Sequence, residues 1–451
     1  MRGNSWSRAI RILGVIIILS VAWLQLALPP LPHDPPLSSE SLEPDPALSE
    51  HQNPVAKFLQ SIQFHKPYEK KKELTADEIL EIQEQILLRS QNETLLNEEL
   101  FGPVQHDTIV IVVQVHNRLE YLRHLIVSMA QARYIDTVLL IFSHDYYDEH
   151  INKLVTTIDF CKVMQIFYPH SLQTHPHSFP GEGIEDCPRD TSLTQAKSLN
   201  CIGNPDLYGH YREARYAQTK HHWWWKANKV FDDLWVLRNH TGLTLFLEED
   251  HYVAEDFLHM LMLYNEALPQ ACPKCSVITL GNYLKNYNFA NDAKRQCTES
   301  FCNHDDYNWD WSLQHVSAKC LSQKLFTFSA RAPRIFHIGE CGVHHKKKDC
   351  SSRLILNKVR HTLSTAQRAL FPHQLVVLQA PIKKTKAHKG NGGWGDKRDH
   401  ALCRSFAEDT TPQSVQAAQL IPEPIEALDN WKKNETLRRR KYLREKYFLK
   451  S

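Results

Sequence analysis

Four groups of residues in this chain have the types and spacing to do chemistry. In LTLFLEEDHY (243–252) an apolar run through Leu245, Phe246 and Leu247 ends in Glu248, Glu249 and Asp250. Adjacent carboxylates repel and raise one another's pKa. A divalent cation, which takes oxygen ligands, relieves that repulsion. A solvated strand end is the bland alternative. In FCNHDDYNWDW (301–311) Asp305, Asp306 and Asp310 are interleaved with Tyr307, Trp309 and Trp311. Carboxylates can take protons from hydroxyls, and aromatic faces stack on the C–H faces of sugars. An aromatic core segment with solvated acids competes with that reading. In PRIFHIGECGVHHKKKDC (333–350) His337, His344 and His345 lie near Cys341 and Cys350. Both a zinc site and a disulfide that frees a histidine for another metal are open there. QTKHHWWWK (218–226) places Lys220, His221 and His222 toward a helix start, where phosphate can be met. Successive helical residues turn by about 100°, so its three tryptophans cannot share one face. That helix is expected to be buried on most sides, and core packing is the bland reading of each of its residues.

The elements that must position these groups are legible. TADEILEIQEQILLR (75–89) opens with a capping box, Thr75 to Glu78, and reads as a helix linking a stalk to the main body. Strands are expected at 108–115, 137–145, 163–169, 243–250 and 276–283, with helices at 119–132, 147–158, 217–238 and 253–267. This alternation predicts an α/β fold whose mostly parallel sheet is covered on both faces. Ligands of such sheets sit beyond the carboxyl ends of the strands. HNR (116–118), SHD (143–145) and EED (248–250) should therefore form one cleft. No GxGxxG or GxxxxGK[ST] follows the first strand, which weakens dinucleotide and P-loop readings. QVHNR instead offers polar groups for a base and phosphate. A zinc hydrolase is weakened by the missing HExxH.

The 451 residues leave room for one large or two ordinary domains. A net charge of +2 gives no sign of nucleic-acid binding. Residues 9–28 read as a single-span signal anchor: seventeen residues from Ile12 to Leu28 carry no charge, the lower limit for a bilayer. Arg2, Arg8 and Arg11 precede the run, and no Lys or Arg follows until Lys57. The positive-inside rule then puts residues 1–8 in the cytosol and the body in a lumen. Eight of the 23 prolines fall in 29–55, so 29–65 reads as an extended stem. Eleven cysteines, and sequons at Asn92, Asn239 and Asn434, agree with a lumenal body. CPKC has no second CxxC, so Cys272 and Cys275 read as a disulfide and not half a zinc site. The basic segment within 406–451 reads as a solvated tail.

Taken together, VVQVHNRLEYL, LLIFSHD, CPRD, GHYREARYAQTKHHWWWK, LFLEEDHY, FCNHDDYNWDW, PRIFHIGECGVHHKK and NGGWGDKRDH resemble the N-acetylglucosaminyltransferase II family, in order, from about 107 to 405. The resemblance implies a type II Golgi membrane enzyme with a GT-A-type fold, its lumenal catalytic domain at 66–405. It implies transfer of GlcNAc from UDP-GlcNAc, β-1,2, to the α-1,6 mannose arm of N-glycans, with inversion and Mn²⁺, on the path from hybrid to complex N-glycans. It places Asp250 and His337 on the metal and Asp310 as catalytic base. It assigns nucleotide-sugar contacts to Gln114, Val115, His116, Asn117, Arg118, Asp145, Gln218, Thr219, Lys220, His221 and His222. Asp145 suits the uracil edge. Glu249 is assigned to the donor or acceptor, and Trp309 to acceptor stacking. The implied disulfides are Cys187–Cys201, Cys272–Cys275, Cys297–Cys320, Cys302–Cys403 and Cys341–Cys350, leaving Cys161 a buried thiol. LKNYNF (284–289) and the loop between Cys341 and Cys350 depart from the family pattern. The rival readings are a related lumenal β-1,2-GlcNAc transferase with another mannose acceptor, and a catalytically silent sugar-binding protein.

Overall fold

A computed structural model describes residues 74–281, 292–321, 325–339, 353–378 and 390–407. The expected anchor (9–28), stem (29–65), segment 284–289, Cys341–Cys350 pair and most of the 406–451 tail lie outside the described residues. Among those described, no helix is long and apolar enough to cross a membrane.

Helix α1 (Ala76–Asn92) starts at the expected capping box, with Thr75 and Glu78 bonded reciprocally. It is more than a spacer. Ile86 packs with Tyr147 and Phe167, and Gln83 Nε2 donates to the Thr174 carbonyl at 2.9 Å. In chain order there follow β1 (Leu95–Leu96), α2 (Glu98–Phe101), β2 (Val110–Val115), α3 (Leu119–Ala130), β3 (Leu139–His144), α4 (Glu149–Thr156) and β4 (Lys162–Phe167). Next come α5 (Leu193–Leu199), α6 (Ala214–Asn228), β5 (Thr244–Glu248), β6 (His251–Val253), α7 (Phe257–Ala271) and β7 (Cys275–Thr279). The remainder is α8 (Asp292–Cys302), α9 (Trp309–Lys319), β8 (Phe326–Ser329), β9 (Ile335–His337), α10 (Arg353–Thr365) and α11 (Lys397–Ser405).

The main sheet has the order β1-β4-β3-β2-β5. Four of its strands are parallel, with only β1 antiparallel. Val110, Val112, Leu139, Ile141, Met164 and Ile166 pack on Val230, Leu234 and Leu237. Ile111, Val113 and Leu140, which alternate with them, are equally buried. Burial on both faces is why these strands read as unbroken apolar runs.

Two expectations need correction. The fifth expected strand, β7, does not join the main sheet: it pairs with β8 in a separate two-stranded parallel sheet. An apolar run specifies a buried strand but not its partner. The helix expected over 217–238 ends at Asn228, and a wide turn over Lys229–Asp233 and a 3₁₀ turn over Trp235–Leu237 complete the span.

A second core explains the three tryptophans. Trp223 and Trp224 pack with Phe301, Leu313 and Trp394 among α6, α8, α9 and α11, while Trp225 packs on the sheet side. Disulfides Cys297–Cys320 and Cys302–Cys403 tie this core together. Cys187–Cys201 and Cys272–Cys275 also form, which disposes of the half-zinc-site alternative for CPKC. Cys161 is a buried free thiol.

Candidate active site

Parallel register makes the strand ends coincide. Gln114 pairs with Ser143 on one side and with Glu248 on the other. The segments HNR, SHD and EED are thereby brought together by direct contacts.

Glu249 is 1% exposed. Its carboxylate accepts from the His116 backbone N–H at 2.9 Å and from Arg118 Nε at 2.6 Å. It braces the turn that carries His116, Asn117 and Arg118. Burial pushes its pKa up against the opposing charge of Arg118.

Asp250 Oδ2 accepts from Arg118 Nη1 at 2.7 Å and lies 3.1 Å from His337 Nε2. Burial favours the neutral acid, but the hydrogen bond from His337 and the charge of Arg118 overrule it and hold Asp250 below the usual carboxylate range. The same contact raises His337. His337 arrives through the antiparallel pairing of β6 with β9, in which it stands opposite His251. The Ile338 N–H also donates to the Asp250 carbonyl at 2.8 Å.

The other carboxylate oxygen, Asp250 Oδ1, is buried and has no hydrogen-bond partner among the described residues. A buried lone pair without a donor is costly, and a cation satisfies it. Gly339 makes room for the carboxylate itself: a Cβ there would overlap Oδ2 and sit 2.9 Å from Asp250 Cγ. The structure adds His251, which the sequence reading did not name, to Glu248, which it did. Ligand atoms of Glu248, Asp250 and His251 lie within 4.8 Å of one another. The signal was the unbroken run EEDH. His251 is poorly suited to a metal in this arrangement. Its Nδ1 accepts from the Glu248 N–H at 3.1 Å, so in the neutral ring Nε2 carries the proton and no lone pair remains. Asp250 is common to this group and to the contact with His337.

Asp145 lies beside this cluster. Its Oδ1 is 2.6 Å from His116 Nδ1, and its Oδ2 accepts from Gln218 Nε2 at 3.1 Å with His222 Nδ1 3.3 Å away. Burial pushes the Asp145 pKa up, yet His116 and His222 overrule it and hold the carboxyl ionised. Val115 is fully buried in the sheet, and its carbonyl accepts from the Asp145 N–H at 3.1 Å.

Helix α6 divides the residues expected to touch the nucleotide. Gln218, His222 and Lys226 recur at every fourth position and share one strip. Gln218 meets Asp145, His222 Nε2 lies 2.8 Å from Ser143 Oγ, and Lys226 Nζ donates to Gln114 Oε1 at 2.7 Å. Lys220 and His221 face the second core instead. Lys220 Nζ, fully buried, donates to the carbonyls of His304 and Asp306 at 3.0 Å each and lies 4.2 Å from the Trp394 ring centroid. His221 Nε2 is 2.9 Å from Asp399 Oδ1, whose carboxylate also receives Arg212. Thr219 is half-buried between the strips.

The sequence pattern of the N-acetylglucosaminyltransferase II (MGAT2) family matches residues 83–296 and 293–403. The chain belongs to that family. The alpha-1,6-mannosyl-glycoprotein 2-beta-N-acetylglucosaminyltransferase of Mus musculus is 43% identical to it over 327 residues, 66% of this chain and 74% of that protein. The protein of the same name from Sus scrofa is 41% identical over 343 residues, 70% of this chain and 77% of that protein. The one from Arabidopsis thaliana is 33% identical over 337 residues, covering 69% and 77%. A crystal structure of S. aureus TarS aligns with 41% of this chain and 23% of its own at 12% identity and a TM-score of 0.19, too slight a likeness to bear on the fold.

The N-acetylglucosaminyltransferase II match also spans the aromatic–acidic segment. Asp310 is half-buried in the first turn of α9. Its neighbour Trp309 stacks parallel on Trp223 at 4.4 Å, and Trp223 lies 6.1 Å from Phe246 of β5. That chain of rings ties the start of α9 to the strand that delivers Asp250, and it occupies one face of Trp309. The other two acids of the segment brace the chain. Asp306 is fully buried and accepts from the backbone and side-chain N–H groups of Asn308 and Asn391. Asp305 accepts from the backbone N–H of Leu207 at 2.8 Å and of Trp394 at 3.1 Å.

Buried histidines of this member of the family make its stability depend on pH. His144, His221 and His222 are each at most 1% exposed. Burial lowers the pKa of all three, His144 to about 3. The unfolded chain therefore binds more protons than the folded one below about pH 6.5. Their stabilising effect is complete above that pH and is lost as pH falls. The raised pKa of His337 acts the other way, its contribution being lost as pH rises. Thermal unfolding across pH 7 to 4 should show a falling midpoint. In His144→Leu the unfolding free energy should fall less steeply, by up to about 1.4 kcal/mol per pH unit. An unchanged slope would refute the role of His144.

Proposed function

We propose that this chain transfers GlcNAc from UDP-GlcNAc in β-1,2 linkage to the α-1,6-linked mannose arm of N-glycans, with inversion, on a GT-A-type fold and with Mn²⁺. In a member of this family, one observation carries the reading. Asp250 holds an ionised, buried carboxylate at the carboxyl ends of parallel strands, one oxygen without a partner among the described residues, beside His337 and packed against Gly339.

Asp250 and His337 would hold the cation, which as a Lewis acid neutralises the diphosphate leaving group. Gln114, His116, Asn117 and Arg118 line the nucleotide side, and Asp145 accepts from the uracil N–H. Glu249 acts through Arg118 and the His116 backbone, keeping that turn in place. Asp310 takes the proton from mannose O2. The O2 lone pair attacks the GlcNAc anomeric carbon from the face opposite UDP. The carbon–phosphate-oxygen bond breaks, its electrons leave with UDP, and the α-linked donor becomes a β-linked product.

The test is turnover on an N-glycan whose α-1,3 arm already bears GlcNAc, with UDP-GlcNAc and Mn²⁺. One GlcNAc should be added, β-1,2, to the α-1,6 arm. Addition to another arm, or preference for an O-mannose acceptor, would sink the acceptor assignment. Absence of UDP release would favour a silent sugar binder.

We further propose that residues 9–28 anchor the chain in the Golgi membrane, with 66–405 in the lumen. The charge asymmetry of the N-terminus supports this, as does exposure of Asn92 and Asn239 in their sequons. Protease added to intact vesicles should spare the body of the chain, and glycosidase treatment should shift its mass. Digestion without detergent would refute the topology.

A further inference from the structure

Lys226 closes the strip of α6 that faces the strand ends. It is 1% exposed, an unusual place for an ammonium. Its Nζ donates to Gln114 Oε1 at 2.7 Å and lies 5.5 Å from the Phe246 ring centroid. Burial pushes its pKa down to about 7, and the charges of Glu248 and Asp145, which face it, work against that and favour the ammonium form. Gln114 is the last but one residue of β2, in register with Glu248.

A side-chain amide can present either its carbonyl or its NH₂, and either edge fits most sites about equally well. An ammonium has three donors and no acceptor, so the group bonded to it must be the Gln114 oxygen. The amide is thereby fixed in one of its two orientations. Its NH₂ is left on the other edge, and among the described residues nothing accepts from it. Gln114 is half-buried, so that edge is not sealed off.

We propose that Lys226 is a positioning residue, which locks the Gln114 amide so that its NH₂ serves as a hydrogen-bond donor to an acceptor oxygen of the nucleotide. The inference rests on the donor reading given above and names how that site chooses the polarity of one contact. An amide free to flip would present its carbonyl part of the time to a phosphate or carbonyl oxygen, where it repels.

The test is calorimetric binding of UDP in the presence of Mn²⁺ to the folded chain. Lys226→Met keeps the stem and removes the donors. UDP affinity should fall roughly tenfold, the worth of about one hydrogen bond. Gln114→Met should lose a similar factor, and the double variant should be no weaker than either single one, because Lys226 acts only through Gln114. A role confined to packing predicts that the two losses multiply. Gln114→Glu gives Lys226 an ionic partner but turns an acceptor-only group toward an anion, so it should bind UDP more weakly than Gln114→Met. This pair decides the matter even if Lys226→Met does not fold. The inference is overturned if Lys226→Met binds UDP like the unaltered chain, if the single losses multiply, or if Gln114→Glu binds as well as Gln114→Met. Should the unaltered chain not bind UDP at all, the donor reading falls and takes this inference with it.

Discussion

Replacing Asp310 by asparagine is expected to lower transfer by roughly 10²–10⁴-fold, the usual cost of losing a general base, while UDP binding stays close to that of the unaltered enzyme. The side chain keeps its size and one hydrogen-bonding oxygen, so the first turn of α9 and the stack of Trp309 on Trp223 should survive. What disappears is the capacity to accept a proton as mannose O2 attacks. Calorimetry with UDP, alongside turnover with a full acceptor, separates the two effects. From sequence alone, Asp305, Asp306 and Glu249 would be next in line as bases. Their contacts argue against that. Asp306 receives four N–H groups, Asp305 holds two backbone amides, and Glu249 is committed to Arg118 and His116. Substantial turnover by a folded Asp310→Asn enzyme would mean that the base is none of these four.

Asp250→Ala should abolish transfer and remove the Mn²⁺ dependence of UDP binding. The variant loses both Oδ1, which has no partner among the described residues, and the oxygen shared by Arg118 and His337. It also leaves Arg118 with only Glu249 from that pair of acids. Gly339→Ala reaches the same site without touching a ligand, because its Cβ would overlap Asp250 Oδ2. Both variants should bind UDP equally well with and without Mn²⁺, and Gly339→Ala should lose most transfer activity. Circular dichroism and thermal midpoint show whether the rest of the fold is intact. Mn²⁺-strengthened UDP binding by a folded Asp250→Ala chain would overturn the metal assignment.

The fold and the site were legible to different degrees. The sequence by itself determined what is local. Apolar runs marked β2, β3, β4 and β5 as strands, the first three buried on both faces, and so placed HNR, SHD and EED at one end of a parallel sheet. The capping box located the start of α1. Three consecutive tryptophans demanded a helix enclosed on several sides, because successive residues on a helix point in different directions. The acidic run itself named Asp250.

Tertiary structure decided the partners. His337 reaches Asp250 only because β6 turns back from the sheet and pairs with β9, and nothing in IFH specifies that pairing. β7 looks like its fellow strands but hydrogen-bonds to β8. Helical period groups Gln218, His222 and Lys226 on one strip and sets Lys220 and His221 apart, but it does not say which strip faces the strand ends. That choice came from the second core, where Phe301 and Trp394 enclose the Lys220 ammonium. Periodicity records which side of an element is buried, and a strand or helix buries that side equally well against more than one neighbour. Long-range packing makes the selection, so a role given to an isolated Lys or His from its place in the sequence is the kind of assignment that packing can reverse.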